Sequence, residues 1–241
     1  MGNINNKAQI SGAVGNVVFV SNGHRTIVRT KPGKVKQSKS TKAAAGFFGQ
    51  ISRQDSRYRK ALLELLQLNT DTTYAYRHRA SFGRVAVRYK ENETEYMSLL
   101  KGSPQAMEGF DFNMQSPWLS LCRFFLKFNL SAQGDLRVKI PDIELGTQIK
   151  SDKKTTKATL RFSCISVNPD QNSDTHIHLL SDISINLHPQ IPVFFPEWII
   201  SDVPKNELVF IIAQLTRYQK IHQSEKIINS SSAYLWGGKR E

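Results

Sequence analysis

Leu208-Val209-Phe210-Ile211-Ile212-Ala213-Gln214-Leu215 is apolar at every position but Gln214. A short, nearly continuous apolar run reads as a central strand buried on both faces, because a half-buried strand would alternate. The chain around it does alternate. Leu160, Phe162 and Cys164 interleave with Arg161 and Ser163, and Ile183, Ile185 and Leu187 interleave with Ser184 and Asn186. Residues 124–130 and 136–140 flank Ala132-Gln133-Gly134-Asp135, the pattern of a hairpin with a short loop. Ile227 to Tyr234 supplies a last strand, and Pro192 and Pro196 mark a turn or an edge segment. Short strands separated by turn signals predict an antiparallel β-sandwich over residues 120–241.

Upstream the period changes. Phe47, Phe48, Ile51, Tyr58, Leu62, Leu65 and Leu66 recur at spacings of three and four, which predicts a helix from about 42 to 68. Its polar face carries Lys42, Arg53, Arg57, Arg59 and Lys60. A second helical stretch, from about 72 to 88, is weakened by Gly83. It adds Arg77, Arg79, Arg84 and Arg88 among Tyr74, Tyr76 and Phe82. The alternation from Arg84 to Lys90 also suits a strand. Residues 17–30 read as a β-hairpin turning at Asn22-Gly23, with Arg25 and Arg29 on one face. Lys31, Lys34, Lys36, Lys39 and Lys42 then crowd an extended, solvated loop, and Ser40 or Thr41 is placed to cap the helix. Gly102 to Pro117 is loop-like and marks the expected boundary. The chain thus reads as α+β: a basic hairpin-and-helix module over 1–100 and the sandwich over 120–241.

Charge follows that division. Residues 1–90 hold 17 Lys/Arg against 3 Asp/Glu, and residues 91–241 hold 16 against 17. All of the +13 net charge therefore belongs to the first part. Such an excess calls for an anionic partner, nucleic acid or an acidic protein surface. The candidate contacts are Arg25, Arg29, Lys31, Lys34, Lys36, Lys39, Lys42, Arg53, Arg57, Lys60, Arg77 and Arg84. Tyr58, Tyr74, Tyr76 and Phe82 lie among them and could stack on bases, although their helical spacing favours the core.

The motifs point away from catalysis. Pro32-Gly33-Lys34 and Ser40-Thr41 only echo a P-loop, since the second glycine is missing and no buried strand feeds the loop. His176 and His178 share a strand face but lack a third ligand at a recognised spacing. There is no Gly-x-Ser-x-Gly and no cysteine near a histidine in a reactive pattern. Cys122 and Cys164, each among apolar residues, read as small buried hydrophobes. No cofactor and no metal are implied. With no apolar run of spanning length and no signal-like start, the expected location is cytoplasmic, without membrane contact.

Gly15-Asn16-Val17-Val18, Asn22-Gly23, Arg29-Thr30-Lys31-Pro32 and the lysine loop before a helix resemble the N-terminus of an uncharacterised bacterial protein family. Val167-Asn168-Pro169 and the late strand to Leu215 fit its layout. The resemblance implies a basic hairpin and helices followed by an immunoglobulin-like β-sandwich. It carries no assigned activity and no catalytic residue. Two functions are expected from these readings. One is a non-enzymatic protein binding nucleic acid or another polyanion with little sequence preference. The other is a structural or adaptor subunit of a multi-subunit assembly.

Overall fold

The computed structural model describes residues 2–4, 10–22, 25–31, 33, 36–91, 94–170, 175–189, 191–195, 197–221 and 224–240. The chain divides into two compact units, Met1–Ala45 and Gly46–Glu241.

The first unit is a four-stranded antiparallel sheet in sequential order, β1 (Gly2–Ile4), β2 (Ile10–Val14), β3 (Val17–Asn22) and β4 (Arg25–Thr30). The expected hairpin is there, and Asn22 pairs with Arg25. The connection is therefore made by residues 23 and 24, one position later than expected, and these lie outside the described residues. Strand register puts Ile4, Ile10, Val14, Val17, Phe19 and Val28 on one face and Arg25, Ile27 and Arg29 on the other. No described residue of this unit is buried.

Helix α1 (Lys39–Leu66) begins in the first unit. Its cap is Ser38 rather than Ser40 or Thr41: the Ser38 hydroxyl accepts the Thr41 N–H at 3.1 Å, one of the donors that the first turn leaves orphaned. The helix stops at Gln67, which takes a left-handed φ of 52°.

The second unit centres on a four-stranded antiparallel sheet. It comprises β9 (Thr155–Val167), β10 (Ile177–Leu187), β12 (Leu208–Ile221) and β13 (Ser224–Gly238), in the order β10-β9-β12-β13. Strand β12 sits inside it, and the apolar run follows from that position. Leu208, Phe210 and Ile212 enter one core, and Val209, Ile211, Ala213 and Leu215 enter the other. The second core lies under a smaller antiparallel sheet built from β7 (Lys127–Leu130), β8 (Leu136–Lys139) and β11 (Trp198–Ile200). Leu136, Val138, Trp198 and Ile200 close it.

The first core is roofed by helices. Tyr58, Leu62 and Leu66 of α1, with Tyr74, Phe82 and Val85 of α2 (Tyr74–Val85), pack on Phe210, Ile212 and Tyr234. Antiparallel sheets and helices together make the expected α+β class. Helices cover the sheet face that a two-sheet sandwich would leave to solvent, because two apolar helical stripes need a surface to bury.

Helix α2 ends at Val85, and the ambiguous stretch after it is strand β5 (Val87–Glu91), paired with β6 (Thr94–Ser98). The boundary expected at 100–120 falls inside the second unit. Met107, Phe110 and Phe112 are buried in the helix-side core, and residues 109–112 run along β13, where Phe112 N–H donates to Ser232 O at 3.0 Å. A Cβ on Gly102 would lie 1.6 Å from the Val85 carbonyl oxygen, so this close passage admits only glycine. Residues 118–121 form a short helix, α3 (Trp118–Leu121).

Candidate polyanion-binding surface

In the first unit Arg25, Arg29, Lys31, Lys36, Lys39 and Lys42 are all exposed. Lys34 lies outside the described residues. No Asp or Glu occurs between residues 1 and 45. Among the described residues none of these six cations is in an ion pair. Arg25 and Arg29 share a sheet face with Ile27, so an extended anion along β4 would meet both.

In the second unit Arg53, Arg57 and Lys60 stand four and three residues apart on α1, which places them on one exposed face. Arg53 and Lys60 enter no ion pair among the described residues. Arg77 and Arg84 line one groove on the outer side of α2, together with Tyr76, Glu108 and Asp111. They differ in availability. Arg77 is a structural rivet: it donates to Asp71 at 2.6 Å and to the Asp111 carbonyl at 2.8 Å, and its guanidinium lies 5.0 Å from the Phe110 ring centre. Asp71 is held well below the usual carboxylate range. Burial opposes this, but hydrogen bonds from Met114, Thr73 and Arg77 outweigh it. Arg84 is exposed.

Of the four aromatics, Tyr58, Tyr74 and Phe82 are core, and only Tyr76 is exposed. Periodicity alone did not single out a neighbouring group. Arg79 lies 5.0 Å from the ring centre of exposed Phe48 and 5.7 Å from that of Tyr76, and Arg88 lies 4.6 Å from that of Phe47. Cations held over exposed rings offer charge and a stacking face at one place. The Phe47-Phe48 pair and the arginines at 79 and 88 were visible as letters, but their meeting depends on helix packing.

A buried polar chain joins the helices to the sheet. His78 Nδ1 lies 2.6 Å from Asp55 Oδ1, His78 Nε2 lies 3.0 Å from the Tyr234 hydroxyl, and the hydroxyls of Tyr234 and Tyr58 are 2.9 Å apart. Arg59 Nε donates to the other Asp55 oxygen at 2.7 Å. One proton assignment satisfies every group. Nδ1–H donates to the carboxylate, the Tyr234 O–H donates to Nε2, and the Tyr58 O–H donates to Tyr234. Burial pulls His78 below its usual range, against the opposing hydrogen bond to Asp55, so the ring is neutral as that assignment requires. Asp55, Tyr58, His78 and Tyr234 are sealed from solvent, which makes the chain a staple of α1, α2 and β13. Its letters were legible as exceptions: Asp55 stands three before Tyr58 on the apolar stripe, and His78 stands midway between Tyr74 and Phe82.

His176 and His178 are exposed, and among the described residues no three His, Cys, Asp or Glu side chains are grouped to hold a metal. Cys122 and Cys164 are buried free thiols, and burial pushes Cys164 up to about 12. No described helix is long and apolar enough to cross a membrane.

No family model, no curated protein and no solved structure matches this chain.

Proposed function

We propose that the protein is a non-enzymatic binder of nucleic acid or a comparable polyanion, with little sequence preference. One observation carries this reading: Arg25, Arg29, Lys31, Lys36, Lys39 and Lys42 are exposed, free of ion pairs among the described residues, and unopposed by any acid in the first 45 residues. In the second unit the Arg53, Arg57 and Lys60 face, Arg84, and the Arg79 and Arg88 contacts with Phe48, Tyr76 and Phe47 offer a cationic surface of their own. The four-stranded and three-stranded antiparallel sheets of the second unit serve as an immunoglobulin-like platform, in line with the family resemblance of residues 12–60.

Fluorescence anisotropy of a labelled single-stranded DNA across a salt series tests the reading. Affinity is expected to fall steeply with salt, and the double variant R25A/R29A should flatten the log–log slope by about 1.4, at ~0.7 per lost phosphate contact. Binding that ignores salt, or no binding at low salt, contradicts it.

A second reading, an adaptor subunit docking on an acidic neighbour, is favoured by a separate observation. Ile4, Ile10, Val14 and Val28 are exposed on one face of the first sheet, an apolar surface suited to protein contact. It expects a large assembly in light scattering after nuclease treatment. The absorbance ratio at 260 and 280 nm, before and after a high-salt wash, separates the two.

A further inference from the structure

Strands β7 and β8 turn Phe128, Leu130, Leu136 and Val138 toward the second core and Lys127, Asn129, Arg137 and Lys139 outward. Register brings the outward four together. Lys127 stands directly opposite Lys139, and Asn129 opposite Arg137. All four are exposed. With Phe128 and Glu197 they line a pocket of about 390 Å³.

Three cations on one small face depart from their surroundings. Residues 91–241 hold 16 Lys/Arg against 17 Asp/Glu, yet none of the outward residues of β7, β8 and β11 is acidic. Like charges directly opposite on paired strands destabilise a sheet. Lys127 and Lys139 enter no ion pair among the described residues. Glu197 lies 3.9 Å from Arg137 and answers that cation alone. An anion seated between the strands would turn the repulsion into attraction.

The chemistry narrows that anion. Three cations less one carboxylate leave two positive charges, which matches a dianion. A phosphate monoester carries about −1.5 to −2 near pH 7 on three strong acceptor oxygens. Arg137 can grip two of those oxygens, and the lysines supply mobile point charges. A carboxylate or a backbone phosphodiester brings only one charge. Ile199 pairs with Arg137 and is 49% exposed, so it offers an apolar shoulder to the body of an ester. We propose that this pocket binds a dianionic phosphate group, with Lys127, Arg137 and Lys139 as its contacts. The site belongs to the second unit and does not rest on the reading of residues 25–42.

The test is titration of the isotopically labelled full chain, read as amide shifts by NMR. The probes are inorganic phosphate, phenyl phosphate, dimethyl phosphate and, at matched ionic strength, sodium chloride. The two dianions should give saturable shifts centred on residues 127–129, 137–139 and 199. Dimethyl phosphate, a monoanion, should bind several-fold more weakly, and chloride should not saturate. Tighter binding of phenyl phosphate than of inorganic phosphate assigns the group to an ester resting on Ile199, and the reverse order assigns it to free phosphate. Lys139→Glu should weaken binding about tenfold, the worth of one charged hydrogen bond. It should also leave the urea midpoint unchanged or raised, because it makes an opposite-charge pair with Lys127. Lys127→Ala removes a charge without adding one and should weaken binding about threefold. Absence of saturable shifts with both dianions overturns the proposal. So do equal shifts from sodium chloride, equal affinity for dimethyl phosphate, or undiminished affinity in both variants.

Discussion

The two units differ in what holds them. The first 45 residues carry 8 of the 33 Lys/Arg and none of the 20 Asp/Glu, and none of their described side chains is buried. Residues 46–241 carry every acid and both apolar cores. Among the described residues strand pairing is what holds the first unit, and a single-layer sheet without a buried face is marginal by itself. The second unit is fixed by burial on both faces of β9 and β12. Charge is thus concentrated where burial is absent.

The same deletion in each unit should expose this difference most strongly. Phe210→Ala removes a fully buried ring from β12 and should cost about 3–5 kcal/mol in urea unfolding. Phe19→Ala, in the first sheet, should cost less than about 1 kcal/mol. Similar losses at both positions would mean that the first sheet also has a core.

Acid should weaken the second unit through His78. Burial holds His78 below its ordinary value of 6.5, so below that pH the unfolded chain binds more protons than the folded one. Asp55, which accepts from the ring, opposes the shift, while Arg59 and Arg77 reinforce it. Stability should be full above about pH 6.5 and decline as pH falls, by at most ~1.4 kcal/mol per pH unit for this one group. Urea midpoints at stepped pH measure the decline, and His78→Gln should remove it. A decline that survives in His78→Gln assigns it to other groups.

The smallest effect is a gain. Gly83 lies inside α2, and an added Cβ would stand 3.8 Å from Ile51, an ordinary contact. Gly83→Ala should therefore stabilise the second unit by about 0.5–1 kcal/mol, seen as a higher melting temperature. A loss instead would show that the α1–α2 contact tolerates no added methyl.

Much of this architecture could be read from letters. The Leu208–Leu215 run specified a strand covered on both sides, whereas the cation count marked residues 1–90, of which residues 46–90 belong to the second unit. Legibility ended where a property depends on two distant segments meeting. The helices' apolar stripes were visible, but not that Phe210 and Tyr234 receive them. Arg77 looked as free as Arg84 until Asp71 and the Asp111 carbonyl came within reach of it. Asp55 and His78 read as interruptions of a helix face because their partners lie on another helix and on β13. The pairing of Gln214 with Ser232 depends on strand register, which local sequence does not fix.

The first sheet has one more consequence, for handling the protein. Its uncharged apolar face is shielded from like faces by mutual repulsion among the unopposed cations of residues 25–42. That repulsion fades as the Debye length shrinks, from about 10 Å at 0.1 M salt to about 3 Å at 1 M. Raising salt should then let the protein cluster through that face, seen as a rise in light scattering.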